Sequence, residues 1–300
     1  ITQNSVVGIK SITADSSNVL TVHDSGGVGI ATFSSSGQTY TGIITATSFS
    51  GDGSSLTGIA GGIGTDAYRN STGGINAGDS FTSGQATDNT LIGYDAGTAI
   101  TTGDSNTALG SYAADAVTTG NQNTAVGGLS LSATTTGERN VAVGYNVLAV
   151  NTTASYNTGV GYNVLAANTT GADNTALGTN ALDANTTASN NTAFGSNALS
   201  ANTTGSSNVA VGKQALENST TGDGNTSVGY QALDANTTGN DNTAVGVNAL
   251  GANTTSTNNT AFGNSALASQ AAGGGYNIAI GNSALYSSTG SEYNVAIGYE

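Results

Sequence analysis

Thirteen times between Asn89 and Gly298 the chain writes the same five-residue motif: Asn, a β-branched or apolar residue, a mostly small residue, a larger apolar residue, Gly. The Asn residues stand at 89, 106, 123, 140, 157, 174, 191, 208, 225, 242 and 259, a fixed step of 17, and then at 277 and 294. A unit this short cannot bury a core alone, so the chain must stack copies of the unit on one another as a solenoid.

The averaged coil is N-T-A-V-G-x-N-A-L-x-A-N-T-T-G-x-x. Counting its Asn as position 0, position 3 is always apolar, as in Ile92, Leu109, Val143, Phe194, Val245, Phe262 and Ile297. Position 8 is Leu in ten of twelve complete coils, including Leu131, Leu182 and Leu250. Two such columns predict a flattened coil with two short strands and two turns, both columns buried. Gly at position 4, among them Gly110, Gly178 and Gly246, suits a turn with positive φ or a very close neighbour. Asn at position 0, including Asn106, Asn174 and Asn242, suits a side-chain amide ladder along the stack.

The fold class expected is therefore all-β, a parallel β-roll or β-solenoid of 17-residue coils. At about 4.8 Å per coil, Asn89 to Asn294 would extend roughly 58 Å. An α-solenoid fails on length, because 17 residues cannot hold two helices and two loops, and Thr, Gly and Asn disfavour helix interiors. Position 2 is Ala in most coils, with Leu91, Gly159 and Ser227 as exceptions. Strand alternation turns it away from positions 1 and 3, which places a small-residue face outward and lets other copies of the chain pack there, around a threefold axis.

Three regions are expected: a β-rich stalk or connector module over 1–63, a Gly-rich transition over 64–88, and a solenoid of about twelve coils over 89–300 that is cut in mid-repeat. Asn70-Ser71-Thr72-Gly73-Gly74 resembles a degenerate coil within the transition. The chain has no Met, and its last motif begins a new coil just before Glu300, so it is expected to be a segment of a longer protein.

Composition narrows the function classes. Four Lys and Arg against 18 Asp and Glu give a net charge of −14, which repels phosphate and argues against nucleic acid. No apolar run approaches the roughly 20 residues of a membrane span, and without Cys there are no disulfides or thiolate metal sites. His23, the single histidine, has no second imidazole or thiol to complete a metal site. No cofactor and no enzymatic activity are expected. An acyltransferase-like solenoid would need an apolar residue every sixth position and a catalytic His, and the roll offers neither.

Three surface columns remain as candidates. Asp115, Asp183, Glu217 and Asp234 share position 9 and read as a solvated acidic edge, with a cation site as the alternative. Tyr94, Tyr145, Tyr162, Tyr230 and Tyr299 share position 5; Tyr145 and Tyr162 should stack, as an aromatic ladder or as ligand-contact aromatics for sugar rings. The sequons at Asn151, Asn168, Asn185, Asn202, Asn236 and Asn253 read as repeat turns. Their Thr pairs keep an ice-binding solenoid open, although adjacent Thr residues in an extended strand would point to opposite faces.

Asn277-Ile278-Ala279-Ile280-Gly281 and Asn294-Val295-Ala296-Ile297-Gly298 resemble the Asn-Ser-Val-Ala-Ile-Gly repeats of YadA-like heads in trimeric autotransporter adhesins. The longer form of the repeat is similar to repeats in bacteriophage tail fibres. The stretch from Gly42 to Ile59, Gly-Ile-Ile-Thr-Ala-Thr-Ser-Phe-Ser-Gly-Asp-Gly-Ser-Ser-Leu-Thr-Gly-Ile, resembles a segment of structural proteins in marine phages. The resemblance implies a left-handed, homotrimeric β-roll that acts in attachment, although the 17-residue period is longer than that of the adhesin heads. The function expected is a stiff spacer of a phage tail fibre, in the virion, with its own copies, other virion proteins and a host-surface glycan or protein as partners. A bacterial surface adhesin whose roll binds a host or matrix ligand is the alternative, and an ice-binding solenoid the third.

Overall fold

The computed structural model describes residues 20–23, 29–34, 37–40, 63–270 and 272–299. The chain divides into two units, Ile1–Leu56 and Thr57–Glu300. In the first, β1 (Leu20–His23), β2 (Gly29–Ser34) and β3 (Gly37–Tyr40) form an antiparallel sheet in that order. The segment from Gly42 to Ile59 and the side chain of His23 lie outside the described residues.

The second unit is an all-β solenoid. β4 (Ile63–Thr65) runs antiparallel to β5 (Ser71–Gly73), and from β5 onward every strand is parallel to the next. The series continues through β6 (Thr90–Ile92), β9 (Val141–Tyr145), β10 (Thr158–Tyr162), β11 (Thr175–Thr179), β12 (Thr192–Phe194) and β16 (Thr260–Phe262) to β18 (Val295–Ile297). Pairing is position on position: Thr158 on Thr175, Gly159 on Ala176, Val160 on Leu177. The extra residue in the coil after Asn259 leaves this register intact, since Thr260 still pairs with Ile278. The degenerate coil at Asn70 is part of the stack, with Ser71, Thr72 and Gly73 paired to Thr90, Leu91 and Ile92.

Each coil carries one short strand rather than two. The Leu column at position 8 sits in a turn, with φ of 51–54° from Leu131 to Leu267. Positions 6 and 16 are also left-handed, for example Asn163 (φ 51°) and Asp173 (φ 57°). A 17-residue circuit closes only by bending tightly, and the left-handed turn at position 8 swings each Leu inward, where it is fully buried. For a bulky residue that conformation costs about 1 kcal/mol. Burial of the Leu side chain, worth roughly 2 kcal/mol, offsets it.

The two faces of the strand are the reverse of the expectation. The small residues at position 2 are the buried ones, from Ala108 through Ala142, Ala176 and Ala210 to Ala279. Positions 1 and 3 point outward, with Leu177 48% and Phe262 56% exposed. The small column marks a crowded interior, because positions 2, 7 and 8 share one narrow space. Compensating exceptions show this. Where position 2 is Leu91, position 8 is Gly97, and a Cβ there would lie 2.7 Å from the Leu91 side chain. Where position 7 is Val164 instead of Ala, position 2 is Gly159, whose added Cβ would meet Val164 at 3.4 Å and Val147 of the preceding coil at 2.6 Å. Volume is traded between touching interior positions of the same or the neighbouring coil, as close packing requires.

So thin an apolar core leaves much of the interior to amides. At every step from Asn70 to Asn294, the Asn Oδ1 at position 0 accepts the backbone N–H of the next coil's Asn. In Asn106, Nδ2 also donates to Asn89 Oδ1 (3.1 Å) and to the Gly120 carbonyl (2.9 Å). Asn174 repeats this with Asn157 Oδ1 and the Ala188 carbonyl, and Asn242 with Asn225 Oδ1 and the Ser256 carbonyl. A buried amide thus satisfies its own donors and acceptor and the backbone beside it.

Gly at position 4 answers two demands at once. Gly110 (φ 142°), Gly178 (φ 143°) and Gly246 (φ 136°) occupy backbone that side chains rarely adopt. A Cβ on Gly110 would also lie 2.7 Å from the Gly127 carbonyl of the next coil. The column lets successive backbones touch.

Two substitutions test this. Asn174→Ala removes both Nδ2 bonds and leaves the Asn191 N–H without an acceptor, so unfolding should show a loss of about 3 kcal/mol. Thr187→Ala, an exposed neighbour, should stay within about 0.5 kcal/mol. Equal effects of the two would contradict the ladder.

Candidate functional site

The sequon asparagines lie inside the solenoid. Asn151, Asn168, Asn185, Asn202, Asn236 and Asn253, at position 11, are all fully buried. They form a second ladder: Asn168 Nδ2 donates to Asn151 Oδ1 (3.0 Å), Asn185 to Asn168 (2.8 Å) and Asn202 to Asn185 (3.0 Å). Each Nδ2 also reaches the carbonyl three residues on, the same one that the position-0 Asn uses. The Gly171 carbonyl accepts Asn157 at 2.8 Å and Asn168 at 2.9 Å. The ladder is interrupted at Ser219, whose buried hydroxyl has no hydrogen-bond partner. It gives way to Thr134, Val117 and Ile100 toward β6. A glycosyltransferase has no access to these amides in the folded chain.

The Thr residues that follow do not straddle the wall. At position 12 the hydroxyl donates to the next coil's Thr carbonyl, as Thr169 does to Thr186 (2.9 Å) and Thr186 to Thr203 (3.1 Å). Position 13 is exposed, as at Thr153, Thr170 and Thr187. The residues occupy a bend rather than an extended strand, so neither points into the core.

Tyr145 and Tyr162 close β9 and β10 at position 5 and do stack, with centroids 5.8 Å apart and planes inclined by 15°. Each is 51% exposed. Tyr145 also approaches Gly128, where an added Cβ would stand 3.5 Å from one edge of the ring. Stacking turns one face of each ring onto the other. A sugar ring needs an open aromatic face, and the stacking takes up one face of each ring. Tyr276 and Tyr293 make a similar pair at 5.1 Å and 9°. Arg139 lies over the Tyr156 ring, 5.4 Å from its centroid.

At position 9, Glu217 accepts the side-chain amides of Asn197 (3.0 Å) and Gln214 (2.8 Å). The carboxyls of Asp115, Asp183 and Asp234 are held above the usual carboxylate range, first by partial burial and, at Asp234, also by Glu217. One oxygen of Asp115 is buried without a partner. Among the described residues no group of three or more Asp, Glu or His is placed to hold a metal ion.

The feature not foreseen from the residues is the outward lane made by positions 1 and 3. From β6 to β18 its members are only Thr, Val, Ile, Leu and Phe. Asp and Glu stand elsewhere, at positions 6, 9, 15 and 16, as in Asp95, Asp183, Asp104 and Asp241. The signal was present in the sequence: a strand column that holds large apolar residues and never admits a charge, in a chain of net charge −14, marks an interior or a contact surface.

The raised carboxyls fix a pH dependence. The folded chain holds these protons more tightly than the unfolded one, so the stability they contribute is complete below the ordinary Asp pKa, about 4, and is lost as pH rises through their folded values. The exposed Arg69–Asp88 pair, with Asp88 lowered chiefly by its bond to Arg69, acts in the opposite sense. The melting temperature should therefore rise on acidification from neutral pH toward the ordinary Asp pKa, about 4. D115N/D183N/D234N should raise it at pH 7 and flatten the profile, whereas a steeper profile would contradict the burial effect. No family model, curated protein or solved structure matches this chain.

Proposed function

We propose that the chain is a structural fibre protein, a stiff homotrimeric spacer of a phage tail fibre that carries a host-binding part away from the virion. The observation that supports assembly is the uncharged lane at positions 1 and 3, which runs along the stack on the outside of the single chain. Over a stack roughly 58 Å long, a lane about 10 Å wide presents several hundred Å² of mostly apolar surface, approaching what one partner contributes to a stable interface. A chain of net charge −14 meets another copy with little repulsion across an uncharged strip, and this one also carries large apolar side chains.

The number three and the phage setting rest on the resemblance of the Asn-to-Gly repeats and of the segment from Gly42 to Ile59. The function is mechanical. A continuous ladder of backbone and amide hydrogen bonds resists bending and local opening, and protease has few loops to enter. The stacking of Tyr145 on Tyr162, which takes up one face of each ring, favours an aromatic ladder in a spacer over an adhesin whose roll itself grips a glycan. Other virion proteins at its ends and a host-surface glycan or protein at a tip are the partners this role requires.

Native mass measurement should give three times 29.1 kDa. Val160→Asp, placed in the lane, should yield single chains that keep their β circular dichroism. A stable monomer from the unaltered protein would overturn the proposal.

A further inference from the structure

An almost uniform lane raises a problem of register. Coils repeat about every 4.8 Å, so two copies sliding by one coil would exchange like for like at most levels. The buried columns give no help, because Ala, Leu and Asn at positions 2, 8 and 0 are inside each chain. Position 3 is where the levels differ. From Val126 the column reads Val, Val, Val, Leu177, Phe194, then Val211, Val228, Val245, then Phe262 and Ile280. Phe194 closes β12 and Phe262 closes β16, and both rings project outward, 39% and 56% exposed.

We propose that Phe194 and Phe262 set the axial register between copies of this chain, as the two aromatic levels in a column otherwise of Val, Leu and Ile. The occupant is a second copy rather than an unrelated protein, because only a partner with the same 17-residue period meets every level of the lane. This register code presupposes the assembly proposed above. In register, each Phe level meets its own kind and the gap it opens is filled. A slip of one coil sets Phe194 against Leu177 or Val211 and Phe262 against Val245 or Ile280, so wide levels collide with narrower ones and leave voids beside them. A slip of four coils is the single alternative that brings Phe194 level with Phe262, and it strips four coils of contact from each end.

Cysteine cross-linking reads the register directly, since the chain has no Cys of its own. Val228→Cys and, on a copy of different mass, Val245→Cys are refolded together at full length and oxidised, with sedimentation run in parallel. Same-position disulfides between chains should predominate at least tenfold over the mixed Val228→Cys with Val245→Cys product, which reports a one-coil slip. In F194V/F262V, which puts the residue common to neighbouring coils at two outward sites, assembly should persist and the mixed product should rise to parity. Parity in the unaltered background, or no rise in F194V/F262V while the chains remain associated, would overturn the register code and leave the assembly standing. Sedimentation as a single chain would overturn the assembly itself, and the code with it.

Discussion

The structure depends on the buried side-chain amide at position 0. A circuit of 17 residues encloses room for one Leu and two small residues, far less apolar volume than a globular domain of this length would bury. The interior must therefore accept polar groups, and an unpaired one would cost more than its neighbours supply. Asn meets this constraint because its carbonyl accepts the next coil's backbone N–H while its amine reaches a carbonyl within its own coil. One side chain ties together three stretches of backbone in two coils, and the stack becomes a continuous network.

The other columns follow from that network. With the amide holding the strand start, successive backbones approach so closely at position 4 that no side chain fits between Gly178 and Gly195. The chain then turns through left-handed residues, brings the Leu inward, and returns through position 11, where a second amide uses the same carbonyl as the first. Because the interior is filled by these groups, the larger apolar residues of the strand have nowhere to go but outside. The outward lane, and with it the case for partner chains, is a consequence of how little a coil can hold.

Much of the architecture was legible in the residues, in particular the parallel stack, the amide ladder and the demands on Gly at position 4. Those depend on one residue type performing one physical job at a fixed period. The placement of positions 2 and 3 was not legible, because strand alternation says that they face opposite ways and not which way is in. The deciding facts were the pairs Leu91 with Gly97 and Gly159 with Val147, where one residue shrinks as another grows. The Leu column misled for a different reason: Leu rarely adopts positive φ, so a left-handed turn at Leu131 or Leu182 has no propensity signal. The position-11 asparagines mimic surface sequons, and only the small residue three positions on, whose carbonyl they bind, hints at burial.

In the trimer proposed above, the strand face formed by positions 1 and 3 would meet the common axis. Cryo-electron microscopy of the full-length protein at side-chain resolution would show it in cross-section. The account predicts three lobes with Val143, Val160 and Phe194 turned toward the common axis and Ala142, Gly159 and Ala193 enclosed within each lobe. A cross-section in which Val143, Val160 and Phe194 face solvent would contradict it.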